Sequence, residues 1–179
     1  MKNFVMFLTF SRLCSGPAIF VLANIFGFYF VAFIVFLLSA ISDFFDGFLA
    51  RLYEVESKTG KILDPIADKV LLACVLVSIN LTINSIYIGL ITIIILSREI
   101  WVSGLREYNS EVGRGSATKV SVLAKYKTAT QFFSIGLYYF SFANNLALGI
   151  FIAGFILLIS TLLSIKTGLD YTLNTFHEN

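Results

Sequence analysis

Three long stretches of this chain contain no Asp, Glu, Lys, Arg or His: residues 13–42, 70–97 and 128–165. They are 30, 28 and 38 residues long. One membrane-spanning helix needs about 20 apolar residues, so each stretch is too long for a single crossing. Of the 179 residues, 58% are hydrophobic and 13% are charged, whereas soluble domains carry about 25% charged residues. The chain is therefore predicted to fold in a membrane, and this composition excludes disorder.

Each uncharged stretch is broken near its middle by polar or glycine residues, at 24–27, 80–85 and 141–145. The pattern predicts three helical hairpins, and hence an all-α integral membrane protein whose six transmembrane helices form a single membrane domain. The first helix is interrupted by Arg12 and Gly16-Pro17 and lacks a cleavage site of small residues, so we expect a retained helix rather than a signal peptide. The predicted helices are residues 4–26, 28–53, 59–82, 86–109, 120–142 and 146–167.

The hairpin tips carry no charge, and all 13 Lys and Arg and all 11 Asp and Glu fall at the opposite end of the bundle. Because positively charged segments stay in the cytoplasm, we expect both termini, the active site and the 110–119 linker on the cytoplasmic side of the inner membrane. The net charge of +2 gives no reason to expect a nucleic-acid partner. Each stretch gives its two helices about 15 uncharged residues apiece, which span only roughly 22 Å. This is less than the roughly 30 Å of hydrocarbon in a bilayer. Some charged side chains must then lie inside the bundle, where they indicate function.

Four aspartates flank the link between the second and third predicted helices. Asp43 and Asp46 share one helix face, and Asp64 and Asp68 share a face of the next helix. Four carboxylates in one apolar cavity repel each other unless they are protonated or hold a cation. Hard oxygen ligands suit Mg²⁺ or Mn²⁺, and four carboxylates can hold two ions. The sequence therefore predicts a polar metal-binding cavity that opens to the cytoplasmic side.

A structural reading of the same aspartates is that they are helix-end charges. In that reading Pro65 lies in the first turn of a helix, and Asp64 and Asp68 act as caps beside it. Two adjacent helices that each carry a face-matched pair of Asp, in a chain with so few charges, favour the metal-binding cavity.

The segment from Asp43 to Asp68 reads D-x2-D-G-x2-A-R-x8-G-x3-D-x3-D. This string resembles the signature of the CDP-alcohol phosphatidyltransferase family, and every fixed position of that signature is filled. The resemblance implies six transmembrane helices, a homodimer and a metal-dependent reaction in which an alcohol displaces CMP from a CDP-linked lipid. It also implies the roles of individual residues. The metal ligands would be Asp43, Asp46, Asp64 and Asp68, with Asp68 also acting as general base. The residues along the CDP-lipid would be Thr9, Gly47, Ala50, Arg51 and Ser57.

A second charged region combines basic residues from two predicted helices. Arg98 and Arg106 are eight residues apart and lie roughly on one face of the fourth helix, while Lys125 and Lys127 begin the fifth. Arginine offers a planar fork for phosphate oxygens and lysine a point charge, so this cluster suits an acceptor that carries a phosphate. The alternative is that these side chains snorkel and anchor the helices. We expect Glu99 and Glu107 to orient or neutralise the arginines rather than take part in chemistry.

Within the family, R-E-x3-S-G-L-R-E followed by K-x-K-T-x2-Q resembles the branch that accepts glycerol 3-phosphate. The implied reaction transfers a phosphatidyl group from CDP-diacylglycerol to glycerol 3-phosphate among membrane lipids and yields phosphatidylglycerol phosphate and CMP. Inositol phosphate, serine and phosphatidylglycerol remain alternative acceptors. From another class, a small cation transporter could use the aspartates as an ion site. A transporter site is expected near the midplane with an inverted repeat, and the sequence has neither feature.

Overall fold

The computed structural model describes residues 2–52 and 58–176, and the side chains of residues 7–42 and 63–176. Six long α-helices make up almost all of this part of the chain, and no β-strand occurs in it. The all-α class is therefore confirmed. A short 3-10 helix (Gly115–Thr118) lies between the fourth and fifth helices. The helices are α1 (Lys2–Asn24), α2 (Tyr29–Leu52), α3 (Lys58–Ile83), α4 (Ile86–Glu111), α5 (Val122–Asn144) and α6 (Ala147–Phe176).

Three short turns join the helices in pairs, at residues 25–28, 84–85 and 145–146. Each turn contains a residue in the left-handed region: Gly27 at φ 69°, Asn84 at 52° and Asn145 at 52°. Glycine and asparagine adopt this conformation at low cost, which lets a helix end abruptly. Such short turns make consecutive helices antiparallel neighbours, and α1 packs on α2, α3 on α4 and α5 on α6. The three helical hairpins and their breaks lie where the sequence predicts them.

The bounds of the first five helices fall within two residues of the prediction, but α6 does not end at 167. It continues to Phe176 with an amphipathic pattern. Lys166 and Asp170 are exposed, whereas Thr167 and Tyr171 are buried on the side that packs against α4. Lys166 and Asp170 therefore lie on the exposed face of a helix that continues past them, and they do not define its end.

The 110–119 linker is mostly exposed but partly helical. Its first residues complete α4, and the 3-10 helix that follows packs against α4 and α6. Ala117 and Thr118 are each only 6% exposed. The linker thus closes the charged end of the α4–α6 pair.

Pro65 lies inside α3, which begins at Lys58. The reading in which Pro65 opens a helix is therefore wrong, and Asp64 and Asp68 lie in the helix interior rather than at a cap. A proline there removes one backbone hydrogen bond. The two aspartates are one turn apart on the same helix face.

Four helices are long and apolar enough to cross a membrane among the residues the structure describes: Phe7–Asn24, Leu63–Ile83, Ile86–Glu111 and Ala147–Phe176. The described apolar part of α2 is shorter, Tyr29–Ser42. The chain is thus a multi-pass, all-helical membrane protein. The crossing of the membrane by α2 and α5 remains a prediction.

Close packing of α1 on α3 positions the candidate site. Gly16 of α1 faces α3, and a Cβ atom there would lie 3.0 Å from the Cα of Leu71 and 3.2 Å from the carbonyl oxygen of Val70. Small residues let helices approach closely in membranes. Below this contact the buried core contains Ile19, Val75 and Ile79. The absence of a side chain at residue 16 therefore brings α1 within hydrogen-bonding reach of α3.

Candidate active site

Among the described side chains, two hydrogen bonds join α1 to the aspartates of α3. The hydroxyl Oγ1 of Thr9 donates to Oδ1 of Asp64 at 2.7 Å. The guanidinium Nη1 of Arg12 donates to Oδ1 of Asp68 at 2.9 Å. Thr9 and Arg12 are three residues apart on α1, and the aspartates are four apart on α3, so both pairs share one face of each helix. We call these four residues the α1–α3 ladder.

The two sides of the ladder differ in their access to solvent. Thr9 and Arg12 are each 1% exposed, whereas the side chain of Asp68 is 48% exposed. A buried arginine inside a membrane helix requires an anionic partner, and Asp68 supplies one. The acidic side of the ladder thus faces an accessible space, and α1 supports it from behind.

Arg12 is not among the site residues that the sequence predicts. In the sequence it is only an interruption of the first apolar helix. An isolated arginine about three turns into a membrane helix is itself a signal of a buried polar partner, but the partner lies 56 residues away in sequence. Thr9 was predicted to contact the CDP-lipid. In the structure its hydroxyl donates to Asp64, and a contact with the nucleotide stays a prediction.

Six of the predicted site residues lie outside the described side chains, so their roles remain predictions. Within residues 7–42 and 63–176, no three Asp, Glu, His or Cys side chains gather into a group. Asp64 and Asp68 are the two predicted metal ligands that fall in this part of the chain. The six residues are Asp43, Asp46, Gly47, Ala50, Arg51 and Ser57.

The basic residues meet at Glu99. One oxygen of this carboxylate, Oε1, lies 2.6 Å from Nζ of Lys127 and 3.0 Å from Nη1 of Arg98. Both cations are nearly buried, with side-chain exposures of 7% and 9%. Glu99 thus pairs with Arg98, as expected, and also with Lys127, whereas Glu107 is exposed. We call Arg98, Arg106, Lys127 and Glu99 the basic cluster.

Helix α6 forms the opposite wall of the basic cluster. Nε of Arg98 donates to the carbonyl oxygen of Ser164 at 2.9 Å, and its Nη2 donates to Oγ1 of Thr167 at 2.8 Å. Gly168 makes room for this arginine, since a Cβ atom there would lie 3.2 Å from Cγ of Arg98. Two guanidinium donors are therefore held by α6, which fixes the direction of the side chain.

Tyr171 lies between the two arginines of the basic cluster. Its ring centre is 5.9 Å from the guanidinium carbon of Arg98 and 5.8 Å from that of Arg106, a distance at which cation and ring attract. Its hydroxyl accepts a hydrogen bond from the backbone N–H of Ser121 at 3.2 Å. Tyr171 is not among the predicted site residues because the sequence predicts that the sixth helix ends at residue 167.

Lys125 is exposed and stands apart from the other predicted acceptor residues. It is two residues from Lys127 on α5, and residues with that spacing do not share a helix face. Arg106 is also exposed, but Tyr171 links it to Arg98. The structure therefore brings Arg98, Arg106 and Lys127 together and does not join Lys125 to them.

The ladder and the basic cluster lie at similar distances from the uncharged turns. Asp68 is 15 residues before the end of α3, and Arg98 is 12 residues after the start of α4. At 1.5 Å per residue these positions are about 22 Å and about 18 Å from the same turn. Lys127, 17 residues before the end of α5, is about 26 Å from the third turn. Because α3 packs against α4, the acidic and basic groups occupy neighbouring helices at one end of the bundle.

Comparison with known proteins adds a separate line of evidence. A protein from Rickettsia bellii (strain RML369-C), named CDP-diacylglycerol–glycerol-3-phosphate 3-phosphatidyltransferase, is 36% identical over 178 residues, 95% of this chain and 93% of its own length. Proteins of the same name from Sodalis glossinidius (strain morsitans) and Escherichia coli (strain K12) are 40% identical over 102 residues. That segment is 57% of this chain and 56% of each relative, so the match spans little more than half of those two proteins.

The family-level match covers most of the chain. The sequence profile described as CDP-alcohol phosphatidyltransferase matches residues 2–165, which includes α1 to α5 and most of α6. It therefore includes both sides of the α1–α3 ladder and all four members of the basic cluster. This chain belongs to the CDP-alcohol phosphatidyltransferase family of transferases.

Proposed function

We propose that this protein transfers a phosphatidyl group from CDP-diacylglycerol to glycerol 3-phosphate in a metal-dependent reaction, giving phosphatidylglycerol phosphate and CMP. The observation that carries the proposal is that the α1–α3 ladder and the basic cluster lie at the same end of the bundle and include residues of α3 and α4, which pack against each other. The reaction requires carboxylates that can hold cations for the diphosphate and a basic site for the phosphate of the acceptor. The names of the relatives support the same donor and acceptor.

The described carboxylates fit a divalent cation. Asp64 and Asp68 are one turn apart, each with its Oδ1 held by a donor on α1, and carboxylate oxygens are the ligands that Mg²⁺ and Mn²⁺ prefer. Two such ions would be held by Asp43, Asp46, Asp64 and Asp68. When bound, they would neutralise the diphosphate and the departing CMP.

The proposed role of Asp68 is that of general base. Its half-exposed side chain can accept the proton of the acceptor hydroxyl as that oxygen forms a bond to the lipid-side phosphorus. The bond from this phosphorus to the CMP oxygen breaks at the same time, and CMP leaves with the electron pair. The chain contributes mainly by positioning both substrates and stabilising charge.

The basic cluster would bind the acceptor phosphate. The contacts to Ser164, Glu99 and Thr167 use three of the five N–H donors of Arg98, and the other two can serve a phosphate. Arg106 and Lys127 add charge beside it. Gly47, Ala50, Arg51 and Ser57 are proposed to lie along the CDP-lipid, and Lys125 would attract the acceptor from the surface.

The proposal includes a location. Six membrane crossings in the inner membrane put both termini and the active site on the cytoplasmic side, as the one-sided charge distribution favours. Water-soluble glycerol 3-phosphate then approaches from the cytoplasm, while the acyl chains of the donor stay in the bilayer. We propose that the protein works as a homodimer.

The test is an acceptor screen on the purified protein in detergent. CMP release from CDP-diacylglycerol is measured with glycerol 3-phosphate, inositol phosphate, serine or phosphatidylglycerol as acceptor, with and without Mg²⁺ or Mn²⁺. We expect release with glycerol 3-phosphate and a divalent cation only. A preference for another acceptor would reassign the substrate within the family.

The reverse reaction separates a transferase from a cation transporter. Added CMP should convert phosphatidylglycerol phosphate back to CDP-diacylglycerol if the chain catalyses the exchange. A transporter would ignore CMP and would carry the cation into sealed vesicles. Ion uptake without exchange would overturn the proposed function.

A further inference from the structure

The α1–α3 ladder contains two residues to which the proposed reaction assigns no chemical step. Thr9 and Arg12 are each 1% exposed, and each donates to a carboxylate of the proposed metal and base set. A side chain so deeply buried behind the aspartates is poorly placed to meet a substrate directly. Its hydrogen bond lets it act on the reaction through the carboxylate that it contacts.

We propose that Thr9 and Arg12 are positioning residues that orient Asp64 and Asp68 from behind. The inference rests on the proposed function and extends it to α1, whose side chains would form the supporting layer of the site. Each donor takes the Oδ1 atom of one carboxylate and so restricts the rotation of the carboxylate plane. Groups that orient a metal ligand in this way typically contribute about 10-fold to 100-fold in metal affinity or activity.

The spacing of the donors matches the spacing of the carboxylates. Donors at i and i+3 on α1 meet acceptors at i and i+4 on α3, and both spacings keep the residues on one helix face. The close approach at Gly16 sets the separation of the two helices. Thr9 and Arg12 therefore act as one unit, because a rotation or shift of α1 would break both bonds together.

The two donors differ in chemistry. Thr9 is neutral and short, so it can only orient Asp64. Arg12 carries a positive charge, which also reduces repulsion among the clustered carboxylates. A lysine would preserve that charge but would lack the planar fork that fixes direction.

The first test uses Thr9, where charge does not change. Mn²⁺ is titrated into the purified full chain in micelles without substrate, and unbound Mn²⁺ is followed by electron paramagnetic resonance. We expect Thr9→Val to weaken Mn²⁺ binding about 10-fold and Thr9→Ser, which keeps the hydroxyl, to bind like wild type. Ser11→Ala is the matched control, since the hydroxyl of Ser11 donates to the carbonyl oxygen of Leu8 within α1.

The second test uses Arg12 and separates kcat from KM. Arg12→Met should lower kcat about 10-fold or more while the KM values for CDP-diacylglycerol and glycerol 3-phosphate change little. Arg12→Lys should recover part of the loss. If Arg12→Met cannot be purified, Arg12→Lys decides the matter: a lowered kcat with unchanged KM supports positioning, and a wild-type kcat overturns it.

The two proposals fail in different ways. If the wild-type chain neither binds Mn²⁺ nor releases CMP, the proposed function is wrong. If the wild type does both and Thr9→Val equals it in Mn²⁺ binding and in kcat, the function stands and the positioning role is wrong. An increase in the KM for CDP-diacylglycerol alone in Thr9→Val would instead assign Thr9 to substrate binding.

Discussion

Lys127 of α5 and Glu99 of α4 form an ion pair in which Nζ lies 2.6 Å from Oε1. The same oxygen accepts a hydrogen bond from Arg98, so one carboxylate balances two nearly buried cations. Removal of Glu99 leaves Arg98 and Lys127 without this carboxylate, whereas removal of Lys127 leaves Glu99 paired with Arg98. This asymmetry makes Glu99 the more important residue for the stability of the cluster.

Glu99→Ala is therefore expected to destabilise the bundle more than Lys127→Met. Breaking a buried ion pair from one side costs about 3–5 kcal/mol, and Glu99→Ala should approach that range. Thermal unfolding in micelles, followed by circular dichroism, gives the order of the midpoints. Glu107→Ala, which removes an exposed glutamate of the same helix, is the control and should unfold like wild type. Equal midpoints for Glu99→Ala and Lys127→Met would contradict the shared-carboxylate arrangement.

Loss of Lys127 or Arg106 should weaken the binding of glycerol 3-phosphate and leave the binding of CDP-lipid unchanged. Lys127→Met and Arg106→Met each remove a charged donor, and such contacts contribute about 1.5–3 kcal/mol, so the KM for glycerol 3-phosphate should rise about 10-fold or more. The affinity for CDP-lipid should stay near wild type. Turnover against acceptor concentration and direct CDP-lipid binding measure the two effects. Lys166→Met, an exposed lysine on α6, should change neither, and a selective loss of CDP-lipid affinity would mean that the acceptor pocket is misplaced.

Asp68→Asn should stop the chemical step and retain the bound lipid. The asparagine keeps an oxygen that can accept from Arg12, but it cannot accept the proton of the acceptor hydroxyl. Loss of a general base typically costs about 10²-fold to 10⁴-fold in rate. Single-turnover CMP release and CDP-lipid binding measure the two steps separately. A variant with wild-type turnover would remove Asp68 from the role of base.

Asp64→Asn should lose metal binding without unfolding. Its amide oxygen can still accept from the Thr9 hydroxyl, so the contact between α1 and α3 persists while a charged ligand is lost. The same loss is expected for Asp43→Asn and Asp46→Asn. Asp170→Asn, on the exposed face of α6, is the matched control. Mn²⁺ binding and CMP release are the measurements, and near-normal activity of Asp64→Asn with metal bound would rule out Asp64 as a ligand.

The proposed orientation can be checked by labelling single cysteines from outside intact cells. The background replaces Cys14 and Cys74, the two cysteines of the chain. Asn144→Cys lies at the turn between α5 and α6 and should react with an impermeant thiol reagent. Ser116→Cys, exposed between α4 and α5, should react only after the cells are opened. The reverse pattern would invert the topology.

The hairpins could be predicted because the bilayer excludes charge. The uncharged stretches and their polar breaks mark the turns at 25–28, 84–85 and 145–146 within a few residues. The end of α6 could not be read in this way, since Lys166 and Asp170 lie on an exposed face while Thr167 and Tyr171 pack inward. The helical spacing of the buried residues Thr167 and Tyr171 indicates that α6 continues, whereas the position of its first charged residue does not indicate its end.

The contacts that build the site were harder to predict than the elements. The spacing of Asp64 and Asp68 shows that they share a face, but it does not show which residue of another helix lies opposite. That depends on the rotation of α1 about its axis and on the close approach at Gly16. The partnership of Arg12 with Asp68, across 56 residues, is therefore a property of helix packing and not of any local pattern.

The burial of Arg12 also bears on how the chain enters the membrane during synthesis. Among the four helices long and apolar enough to cross, Phe7–Asn24 has the lowest mean hydropathy. An arginine within a nascent span opposes its partition into lipid by about 2.5–3.5 kcal/mol at the centre and less near the ends. Asp68 follows Arg12 by 56 residues, so the counter-charge that it supplies arrives only when α3 has been synthesised. The ion pair with Asp68 therefore cannot assist the initial insertion of the first helix.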